Sequence, residues 1–264
     1  MLIYFCRTKV SLWKKKYVKF DKFDLENLSS EFQSKKPFNY IAIDNFFTEE
    51  VINEILTDFN NENFESWDKR NHDKIQIKWR SDWKDDSDVP ANTLNLINFL
   101  NGGTFLRFLS KLTGINGIIP DPYLTGGGFN QINTGGTLAV HADGNWHDLM
   151  GVHRRLNVIL YLNDNWQEEW GGHLEMWSKT SDNKPEICVD KISPLLNRLV
   201  IFRTDDFSFH GHPTPLKCPE DRSRRSLILY YYTNTRPAEE VESLDKKHRA
   251  LFHNPDDIGV KYEW

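Results

Sequence analysis

The fold is decided by Thr137-Leu138-Ala139-Val140-His141-Ala142-Asp143, a β-rich run that ends in a histidine and a carboxylate two residues apart. Further short β-rich runs, separated by glycine-rich or Asn/Asp-rich turns, follow it as far as residue 232. These runs are 156–161, 172–177, 199–202 and 226–232. Many short strands joined by turns are typical of a β-sandwich or jelly roll. The sequence therefore predicts an α+β, mainly β, fold whose core is a double-stranded β-helix of the jelly-roll or cupin-like type.

Apolar residues at helical spacing lie ahead of this β-rich region. Two segments repeat the spacing i, i+3, i+4 and i+7, and the first of them follows a candidate N-cap at Thr48. The two segments are 52–59 and 105–112, with a shorter helix predicted around 94–100 and a strand over 39–43. We predict that these N-terminal helices support the β-rich core.

A single domain with four parts is predicted from these patterns. The parts are an N-terminal extension without a clear period (1–36), a support region of helices and one strand (37–117), the β-rich core (118–236) and a C-terminal tail that packs on the core (237–264).

Composition restricts the partners and the compartment. The chain has 264 residues and a formal net charge of -5, which provides no electrostatic reason to bind nucleic acid. Its cysteines (Cys6, Cys188 and Cys218) are few and show no paired spacing, which fits a reducing compartment. No apolar run approaches the length of a membrane span. These observations predict a cytoplasmic protein with no nucleic-acid partner and no membrane partner.

The histidine and carboxylate at the end of the strand can bind one metal ion. Residues i and i+2 of a strand point to the same side, so His141 and Asp143 can converge. A third ligand is available from His210 or His212, near the end of another predicted strand. Two histidines and one carboxylate on one side of a metal leave its other positions open, an arrangement that suits iron(II).

An iron site of this kind that uses 2-oxoglutarate needs a cation for the far carboxylate of that co-substrate, because a buried carboxylate must be paired. Arginine is the natural partner, and Arg222, Arg224 and Arg225 precede the last apolar strand. Arg224 shares its strand face with Ser226 and Ile228, which leave room for a ligand. Arg225 shares its face with core residues, so Arg224 is favoured while Arg225 stays the alternative.

Taken in order, the motifs of the β-rich region resemble the 2-oxoglutarate/iron(II) oxygenase superfamily, and within it the prolyl 4-hydroxylase-like branch. The resemblance extends over about residues 118–235. The matching pieces are 119–122 (IPDP), 127–131 (GGFNQ), 141–143 (HAD), 155–163 (RLNVILYLN), 170–177 (WGGHLEMW), 209–213 (FHGHP) and 224–227 (RRSL).

This resemblance implies a role for each matched residue. His141, Asp143 and His210 match the metal triad of the family. The ligand histidine of the family directly precedes a short H-G-x-P-like turn, which favours His210 over His212.

The resemblance also implies residues that hold the co-substrate. Arg224 matches the position that pairs with the far carboxylate of 2-oxoglutarate, and Tyr161 matches a tyrosine that hydrogen-bonds the same carboxylate. Gln131 falls where many members carry a tyrosine near the co-substrate.

The implied activity is a hydroxylation that uses iron(II), 2-oxoglutarate and dioxygen and produces succinate and carbon dioxide. Ascorbate is the expected reductant. The expected substrate is a small molecule or a peptide with an unactivated C–H bond, namely peptidyl proline, an amino acid or a small metabolite.

Two other functional classes use parts of the same pattern. A cupin-like zinc or manganese enzyme could use the triad for hydrolysis or isomerisation, but it would have no use for Arg224 and Tyr161. A non-catalytic jelly-roll binding module would tolerate the loss of any ligand, and all three ligands are present.

Overall fold

The computed structural model describes residues 16–72, 75–240 and 247–253. The helices are α1 (Leu25–Ser34), α2 (Glu49–Asn60), α3 (Ala91–Leu100) and α4 (Gly103–Thr113), with short 3-10 helices at Phe20–Lys22, Asp86–Asp88, Glu168–Trp170 and Ala238–Glu240. The strands are β1 (Tyr40–Ile43), β2 (Asp68–His72), β3 (Gln76–Arg80), β4 (Ile119–Pro120), β5 (Gly128–Asn133), β6 (Leu138–Ala142), β7 (Trp146–His147), β8 (Val152–Tyr161), β9 (Leu174–Lys179), β10 (Pro185–Ile192), β11 (Leu199–Arg203), β12 (His210–His212), β13 (Ser223–Thr233) and β14 (Leu251–His253).

The strands of the described ranges form one antiparallel sheet with crossovers between distant parts of the chain. Its main path runs β1-β11-β8-β13-β5-β3-β6-β12-β9-β10. Side pairs join β14 to β6, β2 to β3, β4 to β13 and β7 to β8. This mainly antiparallel, barrel-like sheet with few helices confirms the prediction of a double-stranded β-helix core with N-terminal supporting helices.

The sheet has two apolar faces that pack into separate cores. The outer face packs against the four helices, through residues such as Phe59, Phe129 and Leu227. The inner face encloses a smaller core that includes Tyr161 and Met176. Because strand residues alternate between the faces, every second residue of a central strand points inward, and the functional side chains are drawn from these inward positions.

Helix α2 forms where the sequence predicts it. Thr48 is its N-cap residue, and Ile52, Ile55 and Phe59 are buried on one side. The Thr48 side chain makes no capping bond within the helix and donates instead to the carbonyl of Lys16. Helix α4 likewise ends at Gly114, whose φ of 74° is favourable only for glycine. The predicted helices over 52–59 and 105–112 are confirmed.

Helix α1 is not among the elements predicted for residues 1–36. Asp24 caps this helix by accepting a hydrogen bond from the backbone N–H of Asn27 at 3.1 Å. Phe32 is its one fully buried residue, and Leu25 and Leu28 pack beside it on the main core at i, i+3, i+7 spacing, a short signal that the sequence does contain. Residues 1–15 of the same predicted segment lie outside the described residues.

Asp58 links helices α2 and α3, and replacing it tests how much this link contributes to the stability of the supporting helices. This buried carboxylate at the end of α2 accepts hydrogen bonds from the Thr93 backbone N–H at 2.7 Å and from Asn92 Nδ2 at 2.9 Å. Asp58→Ala should lower the free energy of unfolding by about 2 kcal/mol, because helix α3 has no side-chain cap of its own. Urea denaturation measures the change. Asn53→Ala on the exposed side of α2 is the control, and an equal loss there would contradict the capping role.

Strands from outside the predicted core take part in the sheet. In the region 37–117, β1 pairs with β11, and β3 pairs with β5 and β6. The described part of the C-terminal tail adds β14 to β6, with Phe252 opposite His141. The division into four parts stays a prediction. Among the described residues, no helix has the length and apolar character needed to cross a membrane.

Candidate metal and co-substrate site

The structure brings His141, Asp143 and His210 together on the inner side of the sheet. His141 lies on β6 directly opposite His210 on β12, and Asp143 follows β6 by one residue. One potential ligand atom from each of the three residues lies within 4.8 Å of the others. All three side chains are buried. This is the only such group of metal-ligating side chains in the described part of the chain, and His212 is not a member of it.

The hydrogen bonds of the two histidines orient them as metal ligands. Nδ1 of His141 lies 2.9 Å from the Ala139 carbonyl oxygen, and Nδ1 of His210 lies 2.9 Å from the Ser208 carbonyl oxygen. A carbonyl accepts only, so each Nδ1 carries the proton and each Nε2 presents a lone pair. The two Nε2 atoms lie 3.5 Å and 3.8 Å from the oxygens of Asp143. Both lone pairs therefore converge on the carboxylate, as a shared metal ion requires.

The protonation states also fit metal binding. Burial, the largest effect, and the neighbouring His141 lower the pKa of His210 to about 4, so its imidazole is neutral at pH 7. Burial alone would raise the pKa of Asp143, but the neighbouring His141, His210 and Arg154 outweigh it and hold this pKa below its usual range. A neutral imidazole beside an ionised carboxylate is the state that binds a divalent cation.

Two further residues position the triad. Asn157 Nδ2 donates to Asp143 Oδ2 at 3.0 Å, which fixes the rotation of the carboxylate. The Phe252 ring stacks on His141 with a centroid distance of 4.8 Å. Neither role is predicted by the sequence motifs. Asn157 could have been found, because it lies four residues before Tyr161 on the same strand and therefore faces the same side. Phe252 could not, because its contact depends on the pairing of β14 with β6.

Arg224 and Tyr161 form a second buried pair on the inner side of the sheet. Arg224 Nη2 donates to the Tyr161 hydroxyl at 2.9 Å, and Arg224 Nε donates to the Gly172 carbonyl at 2.7 Å. Arg224 is 6% exposed, and no carboxylate of the described residues forms an ion pair with it. A Cβ at Gly172 would lie 3.0 Å from Arg224 Cδ and 2.6 Å from Leu216 Cδ2, so only glycine allows this approach.

Arg225 and Gln131 lie on the opposite face of the sheet from Arg224. Arg225 pairs directly with Gln131 across β13 and β5, and its guanidinium lies over the Phe59 ring of helix α2. The Gln131 amide donates to Asn133 at 2.9 Å. Strand alternation is the physical reason, since directly opposed residues share a face. The structure therefore does not bring Gln131 together with Arg224 and Tyr161, and Asn130 takes the inward position on β5.

His212 is a buried neighbour of both the triad and Arg224. It lies two residues beyond His210 on β12 and is 2% exposed. Neither of its ring nitrogens has a hydrogen-bond partner among the described residues. Burial, followed by the positive charges of Arg224 and Lys78, lowers its pKa well below the usual value. His212 is thus a neutral, buried group near the triad rather than a member of it.

Two surface cavities lie away from these residues. One, of about 440 Å³, is lined by residues such as Glu62 and Trp83, and the other, of about 550 Å³, is lined by residues such as Arg155 and Arg236. Neither contains a residue of the triad or Arg224. The site is therefore identified by its chemistry and not by cavity size.

Comparison with known proteins gives a matching family model and curated relatives. Residues 127–232 match the model of the 2OG-Fe(II) oxygenase superfamily. The curated relatives include prolyl 3-hydroxylase OGFOD1 of Mus musculus, 27% identical over 236 residues, and of Xenopus laevis, 27% identical over 219 residues. These matches cover 86% and 83% of this chain but only 38% of each relative. The chain therefore spans well under half the length of the curated relatives that it matches.

Solved structures with a similar fold include two prolyl hydroxylases. A prolyl 4-hydroxylase of Pseudomonas putida superimposes with a TM-score of 0.52 and 16% identity, over 78% of this chain and 98% of that one. A prolyl hydroxylase of Trichoplax adhaerens, in complex with a peptide fragment of the hypoxia-inducible-factor oxygen degradation domain, superimposes with a TM-score of 0.57 and 18% identity. That match covers 83% of this chain and 94% of the other. At these identities the likeness establishes the fold.

Proposed function

We propose that the protein is a dioxygenase of the 2-oxoglutarate/iron(II) oxygenase superfamily, whose family model matches residues 127–232, and that it hydroxylates an unactivated C–H bond. The single observation that carries the proposal is the position of the buried His141–Asp143–His210 group beside a buried arginine that has no carboxylate partner in the described structure. The substrate is a peptidyl proline, an amino acid or a small metabolite. The names of the relatives as prolyl hydroxylases support the first of these.

The triad fits an iron ion through its donor set. Two neutral imidazole nitrogens and one ionised carboxylate on a single side leave the remaining coordination positions for 2-oxoglutarate and dioxygen. When bound, iron(II) would couple the decarboxylation of 2-oxoglutarate, to succinate and carbon dioxide, to insertion of oxygen into the substrate. Hydrogen bonds within the protein fix the orientation of the three metal-binding side chains. The Ala139 and Ser208 carbonyls orient the histidines, and Asn157 orients the carboxylate.

The Arg224–Tyr161 pair fits the far carboxylate of 2-oxoglutarate. Leaving a guanidinium buried without an anion is costly, and a carboxylate placed against it removes that cost. Arg224 already uses Nε and Nη2 within the protein, so Nη1 and the Tyr161 hydroxyl remain to bind the ligand. These two contacts would orient the co-substrate with its keto-acid end toward the triad. Ile159 and Leu174 belong to the same buried apolar cluster as Tyr161.

The Arg224–Tyr161 pair also distinguishes a dioxygenase from the two alternative functional classes. A zinc or manganese hydrolase or isomerase would need the triad alone, and a binding module would need neither element. Only a reaction with a dicarboxylate co-substrate uses both the triad and the unpartnered Arg224.

We also propose ascorbate as the reductant, dioxygen and a small-molecule or peptide substrate as the partners, and the cytoplasm as the location. The net charge of -5 supports the absence of a nucleic-acid partner. The lack of long apolar runs in the sequence supports the absence of a membrane partner. Cys188 and Cys218 are free thiols, which supports a reducing compartment.

The proposal predicts that 2-oxoglutarate stabilises the protein only when metal is present. At about 100 times its dissociation constant, a ligand that binds only the folded state adds about 2.7 kcal/mol, which corresponds to roughly 5–10 °C for a chain of this size. The melting temperature is measured without oxygen, with and without iron(II) and with and without 2-oxoglutarate, and succinate formation is then measured in air. Glutarate, which lacks the keto group, is the matched control ligand. An absent shift at saturating 2-oxoglutarate, together with absent succinate, would contradict the function.

A further inference from the structure

The inner side of strand β3 carries two cations toward the site. Arg80 pairs directly with Asn130 on β5, and Asn130 pairs directly with Ser226 on β13. Directly opposed residues share a face, so Arg80 points to the same side as Ser226 and Arg224. Lys78 lies two residues before Arg80 on the same strand and therefore shares that side.

A third cation lies between this strand and the metal site. The Arg154 guanidinium is 3.8 Å from the centroid of the Tyr230 ring, and its Nη1 is 3.9 Å from Asp143 Oδ1. Arg80 is also next to Tyr230, since a Cβ at Gly126 would lie 3.4 Å from Tyr230 Cε2 and 3.6 Å from Arg80 Nη1. Lys78, Arg80 and Arg154 thus lie close to one another and to the triad on the inner side of the sheet, and we call this group the cationic chamber.

The cations of the chamber are not fully paired within the described residues. The Nε atoms of Arg80 and Arg154 are buried and have no hydrogen-bond partner there. The Lys78 ammonium has no hydrogen bond or ion pair with any described residue. Burial, followed by the charges of Arg70 and Arg80, lowers the pKa of Lys78 to about 8, so the group remains mainly charged at pH 7.

A charge balance shows that the bound metal and co-substrate do not neutralise the chamber. Lys78, Arg80, Arg154 and Arg224 carry four positive charges, against the carboxylates of Asp143 and of Asp68; Asp68 lies 3.4 Å from Arg80 and also pairs with Arg70 at 2.8 Å, so counting it in full gives the smallest excess. Iron(II) and the 2-oxoglutarate dianion cancel each other. An excess of two positive charges therefore remains in a mostly buried space, where unpaired charge is costly.

We propose that the substrate carries an anionic group, a carboxylate or a phosphate, that binds to Lys78 and Arg80 of the chamber. This inference rests on the proposed function and specifies its substrate class. Binding the anion there would hold the adjoining part of the substrate against Tyr230 and Arg154, next to the triad. Arginine suits such an anion because its planar fork can bind two oxygens at once.

The experiment uses simple anions as probes of the chamber. The protein is saturated with manganese(II) and 2-oxoglutarate, and its melting temperature is followed in sodium phosphate or sodium acetate, with chloride keeping the ionic strength constant. We expect a saturable rise with at least one anion, and the effective one distinguishes phosphate from carboxylate. Arg80→Gln and Lys78→Met should each weaken the response by about tenfold or more. Arg222→Gln, which removes a partly exposed arginine paired with Asp164, should leave it unchanged.

Two controls make the outcome decisive. Lys78→Met removes a charge that has no partner in the described residues, so it tests the chamber even if Arg80→Gln, which also loses the Asp68 ion pair, folds poorly. The shift produced by manganese(II) and 2-oxoglutarate alone is measured first, and its absence in the unmodified protein would refute the proposed function itself. A normal shift with no anion response beyond chloride, or an equal loss in Arg222→Gln, would refute the anionic substrate alone.

Discussion

Replacing Asp143 with alanine should abolish iron binding and lower the rate of succinate formation by more than about a hundredfold. The expectation follows from the geometry, since this carboxylate faces both Nε2 atoms and no other acidic group of the described chain joins the cluster. Removing a residue that merely orients a metal ligand already costs roughly 10–100-fold in metal affinity or activity. Loss of a direct ligand should cost more, and His141→Ala should behave in the same way.

The loss of iron binding in Asp143→Ala is measured as metal content after dialysis, and the loss of turnover as succinate formation in air. Asn157→Ala should show the smaller, roughly 10–100-fold loss, because it frees the carboxylate without removing it. Asp182→Ala changes an exposed aspartate away from the site and is the control for the loss of one negative charge. Bound iron and undiminished turnover in Asp143→Ala would exclude this residue from the metal site.

Arg224→Ala should weaken 2-oxoglutarate binding by about a hundredfold or more, whereas Arg225→Ala should leave it nearly unchanged. Removing one partner of a buried ion pair costs about 3–5 kcal/mol, which is roughly two to three and a half powers of ten in affinity. Arg225 is the matched control because it is the same residue type, one position away, on the opposite face of the strand. Its loss should lower stability instead, since it contacts Phe59 and donates to Asn60 at 2.8 Å.

Calorimetric titration of the manganese(II)-loaded variants with 2-oxoglutarate separates the two effects from catalysis. Tyr161→Phe should weaken binding by only about fivefold, because one neutral hydrogen bond contributes about 1 kcal/mol. Arg224→Lys should retain part of the affinity through its charge but lose the fork geometry. If Arg225→Ala weakened binding more than Arg224→Ala, the assignment of the co-substrate anchor would be wrong.

Local patterns were sufficient to predict His141, Asp143 and Arg224, whereas the choice of His210 over His212 came from the family resemblance. The H-x-D spacing places two ligands on one side of a strand, and alternation along β13 separates Arg224 from Arg225 without knowledge of the neighbouring strands. The structure agrees, with Arg224 beside Tyr161 and Arg225 against helix α2. Such features depend on residues fewer than ten positions apart, and sequence reasoning works well at that range.

Residues whose role depends on pairing between distant strands could not be placed in this way. Gln131 was expected beside the co-substrate, but its pairing with Arg225 and Trp79 turns it to the outer face. A shift of one residue in register exchanges the two faces, and no local pattern determines that register. The inward position of Asn130 follows from the same pairing.

By itself, the sequence determined the β-rich fold class, the two main supporting helices, the identity of the metal ligands and the preference for Arg224. Only the tertiary structure decided which further side chains lie next to the metal ligands and Arg224. These are Asn157 beside the Asp143 carboxylate, Phe252 on His141, and Lys78 and Arg80 of the cationic chamber. The physical reason is the distance along the chain. Strand β3 reaches the site through its pairing with β5, about fifty residues later in the chain. The side of the sheet to which Lys78 and Arg80 point is therefore determined only once the sheet is assembled.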